Sequence, residues 1–311
     1  MWDDPGMALA DRVSFGLSLP HRMAEAEPAG IVGRVARRAE ALGFDDVWVS
    51  DGGLGLSGTL EPFAVLNHAA ALTTRVRLGV AVLVLPTHHP VRVAHAVTSL
   101  DRLSGGRAVL GVGLGGRRHD DVYQVPPERR VTRFSEQIRL VRALLAGGRV
   151  SLDSDFYSGV VDAAAPTAPQ AVPPLWIGGT HPDAVRRAAR LADGWIGAGS
   201  SSSATFTALV PRLRDALEEC GKDPAAFPIS KRVYVSVSDD RRSARAEADS
   251  LLGPTYGDPQ MAERVAVCGT SDDVAEHLES LADAGATHLL LHPTARLEEH
   301  ADTLARIVGL A

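Results

Sequence analysis

The segment from Arg75 to Gly116 constrains the fold of this chain most, because a strand, a helix and a second strand follow one another within it. Residues Val76–Leu85 are almost continuously apolar, as in a parallel strand that is covered on both faces. Pro90 can begin a helix, because the first helical turn does not need the N–H that proline lacks, and Gly105 can end it. A second buried strand then leads into closely spaced glycines. The segment predicts one β/α unit of a parallel sheet, with glycine-rich strand ends that suit a cofactor.

The same alternation of strand and helix continues through the rest of the chain. Apolar stretches predict further strands at 13–19, 44–50, 107–113, 175–178, 194–198, 229–237 and 286–292. Stretches with apolar residues at helical spacing predict helices at 31–42, 61–72, 132–146, 182–192, 205–220, 270–284 and 297–308. Eight strands that alternate with helices predict a (β/α)8 TIM barrel with insertion loops at its C-terminal face, and a doubly wound open sheet is the alternative.

The domain organisation follows from the length of the chain and from the breaks in this pattern. A chain of 311 residues is long enough for two domains, but a single barrel commonly has this length. We therefore expect residues 1–12 to form an N-terminal tail and residues 13–311 to form a single barrel domain. Two stretches, 117–131 and 151–174, interrupt the rhythm, and long loops inside a compact domain are often lids or binding loops.

The composition argues against several classes of function. The net charge of −6 is unfavourable for a nucleic-acid-binding surface, and no stretch reaches the roughly 18 apolar residues that a membrane helix needs. The N-terminus has two early acids and no apolar run, unlike a secretory signal. Cys220 and Cys268 are isolated, which indicates a reducing compartment without a disulfide framework. We expect a cytoplasmic protein that binds neither nucleic acid nor membrane.

In a barrel of this type the active site lies at the C-terminal ends of the strands. Glycines stand at four of the eight predicted ends, where the missing side chain lets a flat ligand approach the backbone. They include Gly113, Gly115, Gly178, Gly179 and Gly197. The run Gly178–Thr180 directly precedes a predicted helix, whose free N–H groups and positive dipole end suit a phosphate. Together these features favour a flat, phosphorylated cofactor.

Several segments of the chain resemble the bacterial-luciferase-like family of flavin- and deazaflavin-dependent oxidoreductases. The most specific is LDRLSGGR at 100–107, followed by LGVG at 110–113. The other matching segments are LSLP at 17–20, ALGFDDVWVSD at 41–51, RVRLGVAVLVLPTHHP at 75–90, PPLWIGG at 173–179 and LADGWI at 191–196. The resemblance covers about residues 13–308 and implies a (β/α)8 barrel with insertions, which the strand and helix pattern predicts independently.

The resemblance implies a cofactor ring laid over the third strand and a cofactor phosphate held at Gly178–Gly179. In deazaflavin-dependent members the third strand carries a bulge and a non-prolyl cis peptide bond, which map to Ala81–Val82. The second-strand aspartate of the family, which lies near the cofactor ring, maps to Asp51. A homodimer is common in the family, and we expect one here.

The chain departs from the family pattern at two positions that handle protons. Deazaflavin-dependent members commonly carry a catalytic histidine directly after the aspartate, where this chain has Gly52. Some members have a glutamate after the fourth-strand glycines, where this chain has Gly116 and Arg117. These departures leave hydride transfer itself open, because the cofactor carries that chemistry.

Several other polar residues are candidates for the site. His21 lies just beyond the first strand, where it can donate a proton to a substrate, and a solvent-exposed loop histidine is the alternative. His88 and His89 begin a helix next to the cofactor strand, where they line the pocket or cap the helix. Adjacent side chains on a turn point apart, so we expect no metal site there. Arg117, with Arg118, can bind an acidic cofactor tail or an anionic substrate.

These observations predict an oxidoreductase that transfers a hydride between coenzyme F420 and a small-molecule organic substrate, with Asp51 and His21 as catalytic candidates. The predicted cofactor-binding residues are Asp51, Ala81, Val82, Gly113, Gly115, Gly178, Gly179, Thr180, Gly197 and Arg117. The first alternative is an FMN-dependent luciferase-like monooxygenase that works with a flavin reductase. The second is a non-catalytic flavin-binding barrel. The third is a phosphate-binding aldolase or isomerase, which lacks an obvious Schiff-base lysine because Lys231 begins its strand.

Overall fold

Parallel strands of this chain close into a barrel. The computed structural model describes residues 8–22, 27–52, 58–163 and 172–310. Its strands are β1 (Ser14–Ser18), β2 (Asp46–Val49), β3 (Arg77–Val84), β4 (Ala108–Gly113), β5 (Gly148–Ser151), β6 (Val160–Ala163), β7 (Leu175–Gly178), β8 (Gly194–Gly197), β9 (Ile229–Val237), β10 (Ala266–Gly269) and β11 (His288–Pro293). Eight of them pair in parallel in the order β1-β2-β3-β4-β7-β8-β9-β11, and β11 pairs again with β1. This closed ring confirms the predicted TIM barrel and excludes the open sheet.

The helices surround the barrel and begin and end where the sequence provides caps. They are α1 (Pro28–Leu42), α2 (Pro62–Ala70), α3 (Pro90–Ser104), α4 (Arg117–Val122), α5 (Arg130–Ala146), α6 (Pro182–Leu191), α7 (Ser203–Glu219), α8 (Arg241–Tyr256), α9 (Met261–Val265), α10 (Ser271–Asp283) and α11 (Leu297–Val308). Proline is the first residue of α1, α2, α3 and α6. Gly105 ends α3 with a φ of 71°, a left-handed conformation that suits glycine. Thr270 and Asp273 form a capping box at the start of α10.

The insertions carry structure that the sequence pattern did not predict. The stretch 151–174 begins within an antiparallel hairpin of β5 and β6. Residues 164–171 of this stretch lie outside the described ranges. The loop after β4 contains the short helix α4. Strand β10 pairs in parallel with the C-terminal part of β9, and α8 and α9 precede it in the chain. At the N-terminus Leu9 is buried, so packing against the barrel begins before the expected boundary at residue 13.

Two tryptophans fill the middle of the barrel interior. Trp48 and Trp176 are almost fully buried, with ring centroids 5.3 Å apart. Glycines on neighbouring strands make room for the rings, since a Cβ on Gly79 would lie 2.2 Å from Trp48 Cε3 and one on Gly194 would lie 2.7 Å from Trp176 Cδ1. The interior below the mouth is therefore a packed core, which leaves the C-terminal end as the place where a ligand can enter.

None of the helices in the described ranges is long and apolar enough to cross a membrane.

Candidate active site at the C-terminal mouth of the barrel

Asp51 lies just beyond the end of β2, with its carboxylate fixed against the end of β3. Its Oδ2 accepts a hydrogen bond from the Val84 N–H at 3.0 Å and another from His88 Nε2 at 3.1 Å. Burial raises the pKa of Asp51, but the hydrogen bond and charge of His88 and the Val84 N–H outweigh burial, so the pKa lies below its usual value. Asp51 is therefore ionised at neutral pH and orients the His88 imidazole.

His88 is a functional candidate for which sequence reasoning proposed only pocket lining or helix capping. The side chain reaches Asp51 from the connection between β3 and α3, and it is 31% exposed. It also lines a groove of about 460 Å³ together with Tyr157. His88 therefore places an imidazole beside Asp51, although the position directly after that aspartate is Gly52. The sequence signal was the histidine pair that follows the third strand, but the pairing depends on how β2 and β3 lie side by side.

The neighbouring His89 has a different role. It is the N-cap residue of α3, where its Nδ1 accepts a hydrogen bond from the Val91 N–H at 3.3 Å. The two adjacent side chains thus serve separate partners, as expected for neighbours on a turn. Within the described ranges, no group of three or more histidine, cysteine, aspartate or glutamate side chains is arranged to hold a metal ion.

His21 is buried beyond the end of β1 instead of facing solvent. Its Nδ1 lies 2.8 Å from the Leu19 carbonyl oxygen, which can only accept, so Nδ1 carries the proton. Its Nε2 accordingly accepts from Ser50 Oγ at 2.7 Å. Burial, aided by the charges of Arg232 and Arg22, lowers the pKa of His21 to about 4 despite the bond to Leu19. The neutral ring accepts a hydrogen bond from Ser50 and is poorly suited to the proton donation expected from the sequence.

Arg232 is the residue at the mouth that sequence reasoning missed. It extends from β9 across the barrel, where its Nη1 donates to the Ala81 carbonyl oxygen at 3.2 Å and its Nη2 donates to His292 Nδ1 at 2.9 Å. Its guanidinium carbon lies 5.0 Å from the centre of the Tyr234 ring. The signal that could have found it is the alternation along β9, where apolar residues pack outward and polar residues occupy the positions between them.

The third strand changes its pairing at the residues to which the family pattern pointed. The Ala81–Val82 peptide bond is cis, as the resemblance implies. The register of β3 against β4 shifts between Val80 and Leu83, which is the implied bulge. The Ala81 carbonyl is thereby presented to Arg232, and Val82 is partly exposed at the mouth.

Several strand-end glycines make room for protein side chains. A Cβ on Gly113 would lie 2.5 Å from Val82 Cγ2, and one on Gly178 would lie 2.8 Å from Val82 Cγ1. A Cβ on Gly115 would lie 2.4 Å from Val84 Cγ1. The expectation that these glycines open space for a ligand therefore needs correction, because the first atoms they accommodate belong to β3. Their effect on a cofactor is indirect, through the position of the bulge.

Gly197 likewise accommodates a helix. A Cβ there would lie 2.7 Å from the Phe206 ring of α7 and 3.3 Å from the Lys231 side chain. The Lys231 ammonium is held by the Ala198 and Ser201 carbonyl oxygens at 2.6 and 2.7 Å. Gly197 therefore faces the helix layer, and nothing in its contacts places it against a ligand in the mouth.

The N-terminus of α6 offers fewer free donors than its sequence suggested. The Gly179 N–H already donates to the Ile196 carbonyl oxygen at 3.3 Å, and the Asp183 N–H donates to His181 Nδ1 at 3.2 Å. The N–H groups of Thr180 and His181 have no partner within the described ranges. A phosphate at this turn would therefore bind to Thr180 and His181 in preference to Gly179.

Arg117 is the first residue of α4, next to the strand-end glycines of β4. It is exposed, as is Arg118, and neither forms an ion pair with any residue that the structure describes. Arg130 fixes the preceding loop, because its Nη2 donates to the Leu114 and Gly115 carbonyl oxygens at 2.7 and 2.8 Å. The two free guanidinium groups lie on a connection of the barrel's C-terminal face, where an anionic group of a bound molecule can reach them.

Comparison with known proteins places this architecture among oxidoreductases. The family model described as luciferase-like monooxygenase matches residues 13–288. The chain is 34% identical over 287 residues to a protein of Beutenbergia cavernae named F420-dependent glucose-6-phosphate dehydrogenase, and the match covers 82% of this chain and 84% of that protein.

Solved structures share the fold at lower identity. A monooxygenase from Streptomyces bottropensis has a TM-score of 0.81 at 23% identity, covering 95% of this chain and 97% of the other. An F420-dependent secondary alcohol dehydrogenase, solved with an F420–acetone adduct, has a TM-score of 0.79 at 19% identity, covering 96% and 99%. These two likenesses support the barrel fold.

Proposed function

This chain belongs to the luciferase-like monooxygenase family, and we propose that it is an F420-dependent oxidoreductase that transfers a hydride to or from a small organic substrate. The observation that carries the proposal is the arrangement at the ends of β2 and β3. There an ionised Asp51 holds the His88 imidazole beside the bulge at Ala81–Val82. The F420 dependence of the 34% identical relative supports the choice of cofactor.

The residues at the mouth fit this cofactor. F420 supplies a deazaflavin ring that accepts or donates a hydride, and it carries a phosphate and an acidic tail. We assign the ring to the surface of β3 at Ala81 and Val82, near Asp51. The anionic parts suit donors to which the described residues offer no partner, namely the N–H groups of Thr180 and His181 and the guanidinium of Arg117. Gly113, Gly115 and Gly178 shape this surface by accommodating the valine side chains of β3.

The proton that accompanies hydride transfer needs a group at the mouth, and the geometry favours His88. Asp51 accepts from His88 Nε2, so the imidazole is oriented as in other carboxylate–histidine pairs. His21 is the second proton-handling candidate and acts as an acceptor through Ser50. We therefore assign to His88 the acid–base role that the family pattern gives to the histidine at the position of Gly52.

Cofactor titration of the purified apoprotein tests the proposal. We expect F420 to bind and to quench tryptophan fluorescence, with FMN binding at least about tenfold more weakly. Tight binding of FMN without detectable binding of F420 would instead favour the monooxygenase alternative. A panel of alcohols, sugar phosphates and carbonyl compounds is then screened for reduction of F420 or oxidation of its reduced form. Firm F420 binding without turnover of any compound in the panel would favour the non-catalytic barrel.

Substitution of His88 tests the assigned proton role. With the panel compound that turns over fastest, His88→Gln should lower kcat by about 10²-fold or more, because a positioned acid–base group contributes at that level. F420 affinity should stay unchanged. His95→Gln, on the exposed face of α3, is the matched control. An equal loss in both variants, or unchanged turnover in His88→Gln, would remove His88 from the mechanism.

A further inference from the structure

The mouth of the barrel contains two arginines, Arg22 and Arg232, that no carboxylate of the described residues pairs with. Arg232 forms no ion pair with any residue in the described ranges, and neither does Arg22, whose Nη2 donates to Thr255 Oγ1 at 2.7 Å. Arg232 Nε is buried and has no hydrogen-bond partner in the same part of the chain. A buried donor without an acceptor is unfavourable, so this guanidinium is poised to receive one.

The groups around Arg232 do not neutralise its charge. His292 accepts from Nη2 through Nδ1, so its ring is neutral, and burial followed by the charge of Arg232 holds the pKa of His292 well below its usual value. Tyr234 and Tyr256 share a hydrogen bond between their hydroxyl groups at 2.8 Å, and burial raises the pKa of Tyr256. The immediate surroundings of Arg232 therefore combine fixed positive charge with the neutral ring of His292.

Arg232 also lies where a reacting molecule must bind. Its Nη1 donates to the Ala81 carbonyl oxygen, on the strand segment to which we assign the cofactor ring. Arg22 approaches from the connection after β1, and its charge lowers the pKa of both His21 and His292. Both cations therefore lie near His21 and His292, and Arg232 also reaches the bulge of β3.

From this geometry we infer that the substrate carries an anionic group, a carboxylate or a phosphate ester, which binds between Arg22 and Arg232. The inference rests on the proposed function, because it places the substrate above the cofactor strand. Guanidinium groups bind either anion through paired N–H donors, and a partly dehydrated mouth strengthens such bonds. A neutral hydroxyl or carbonyl oxygen also accepts from Arg232 Nε, but it leaves the positive charge of the guanidinium without a counter-charge.

Calorimetric titration of the full-length apoprotein with three aromatic probes tests this inference without requiring turnover. Benzoate and phenyl phosphate carry the two anionic groups, and benzyl alcohol is their neutral counterpart. We expect at least one anion to bind about tenfold more tightly than the alcohol. The tighter anion identifies the class of head group. Equal binding of all three probes would overturn the inference.

Variants connect the binding to the two arginines. Arg232→Gln should weaken the preferred anion by about tenfold or more and leave benzyl alcohol and F420 affinities unchanged. Arg22→Gln, at the rim, should also weaken binding of the preferred anion. It replaces Arg232→Gln as the test if that variant is unstable. Arg139→Gln, exposed on α5, makes the same change of charge and is the control.

The outcomes separate this inference from the proposed function. Loss of F420 binding in Arg232→Gln would assign the cation to the cofactor and overturn the inference while leaving the oxidoreductase proposal in place. Equal weakening in Arg139→Gln would mean that the anions respond only to overall charge, which also overturns it. Anion binding by a wild-type protein that does not bind F420 would support an anion site and contradict the cofactor assignment.

Discussion

The two ends of the barrel interior hold similar polar groups and balance their charges differently. At the N-terminal end Asp46 accepts from the Trp48 indole N–H, from His288 Nε2 at 3.0 Å and from Arg77 Nη2 at 2.6 Å. Ser230 Oγ completes the network at His288 Nδ1, 2.7 Å away. At the C-terminal mouth Arg232 and a histidine again bond to each other, but no carboxylate within the described residues joins them.

The difference shows how the same residue types serve structure at one end and binding at the other. Asp46 is fully buried, and its oxygens accept from all three of these donors, so this network is complete without a ligand. At the mouth the described residues supply Arg232 with no carboxylate, so a counter-charge for its guanidinium has to come from a bound anion. Charge balance thus distinguishes the two ends better than the identity of the residues does.

The largest expected effect is the loss of the carboxylate at the balanced end. Asp46→Asn removes the charge that Arg77 and His288 share, and breaking a buried pair in this way costs about 3–5 kcal/mol of unfolding free energy. The urea midpoint measures the change. Asp302→Asn, which breaks the exposed ion pair with Arg38, should shift stability by less than about 0.5 kcal/mol. Equal shifts in the two variants would mean that the lower network is not structural.

As the pH falls, the buried groups at the mouth should lose stability before the Asp46 network at the N-terminal end does. The pKa of His21 is about 4 in the folded protein against 6.5 for an ordinary histidine, so between these pH values the unfolded chain binds a proton that the folded protein refuses. Stability should fall by up to about 3 kcal/mol as the pH drops through this window. Burial raises the pKa of Asp46, but His288 and then Arg77 lower it further, to about 2 against 3.8 for an ordinary aspartate. The stability that the Asp46 carboxylate contributes is therefore lost only below about pH 4.

Urea unfolding between pH 7 and 4.5 measures this order. His21→Asn should flatten the decline, although His292, which is also kept neutral by burial and by Arg232, retains part of it. His95→Asn on the exposed face of α3 should keep the wild-type profile. A His21→Asn profile that matches the wild type would show that protonation of this buried ring does not limit acid stability. The two ends of the barrel would then not differ in their dependence on pH.

The fold was largely predictable because its strands are buried on both faces. The expected ranges 175–178 and 229–237 coincide with β7 and β9, since continuous apolar runs bounded by turns leave little freedom in placing them. The β5–β6 hairpin was missed because most of its residues are exposed and carry no such pattern. Helix α4 in the loop after β4 was also missed, because it is six residues long and mostly polar.

The candidate site was predictable only where it depends on position along a strand. Asp51 follows the end of β2, and the family pattern marks Ala81–Val82, so both could be named as candidates from the sequence. His88 reaches Asp51 from 37 residues away, and Arg232 reaches Ala81 from 151 residues away, so these contacts arise only when the barrel closes. The role of a strand-end glycine is equally hidden in sequence, because the neighbouring side chain that it accommodates belongs to another strand.

A pair of glycine substitutions gives the smallest expected effects and tests whether the interior is packed below and open above. Gly79→Ala places a methyl group 2.2 Å from the Trp48 ring, which is buried and packed against Trp176. Overpacking of this kind costs about 1–3 kcal/mol. Gly116→Ala, at the mouth before α4, meets no atom within 4 Å and should cost less than about 1 kcal/mol. Thermal unfolding compares the two variants, and near-UV circular dichroism should change only for Gly79→Ala. If Gly116→Ala were the more destabilising, the mouth would be as tightly packed as the core beneath it, and the space assigned to the substrate would not exist.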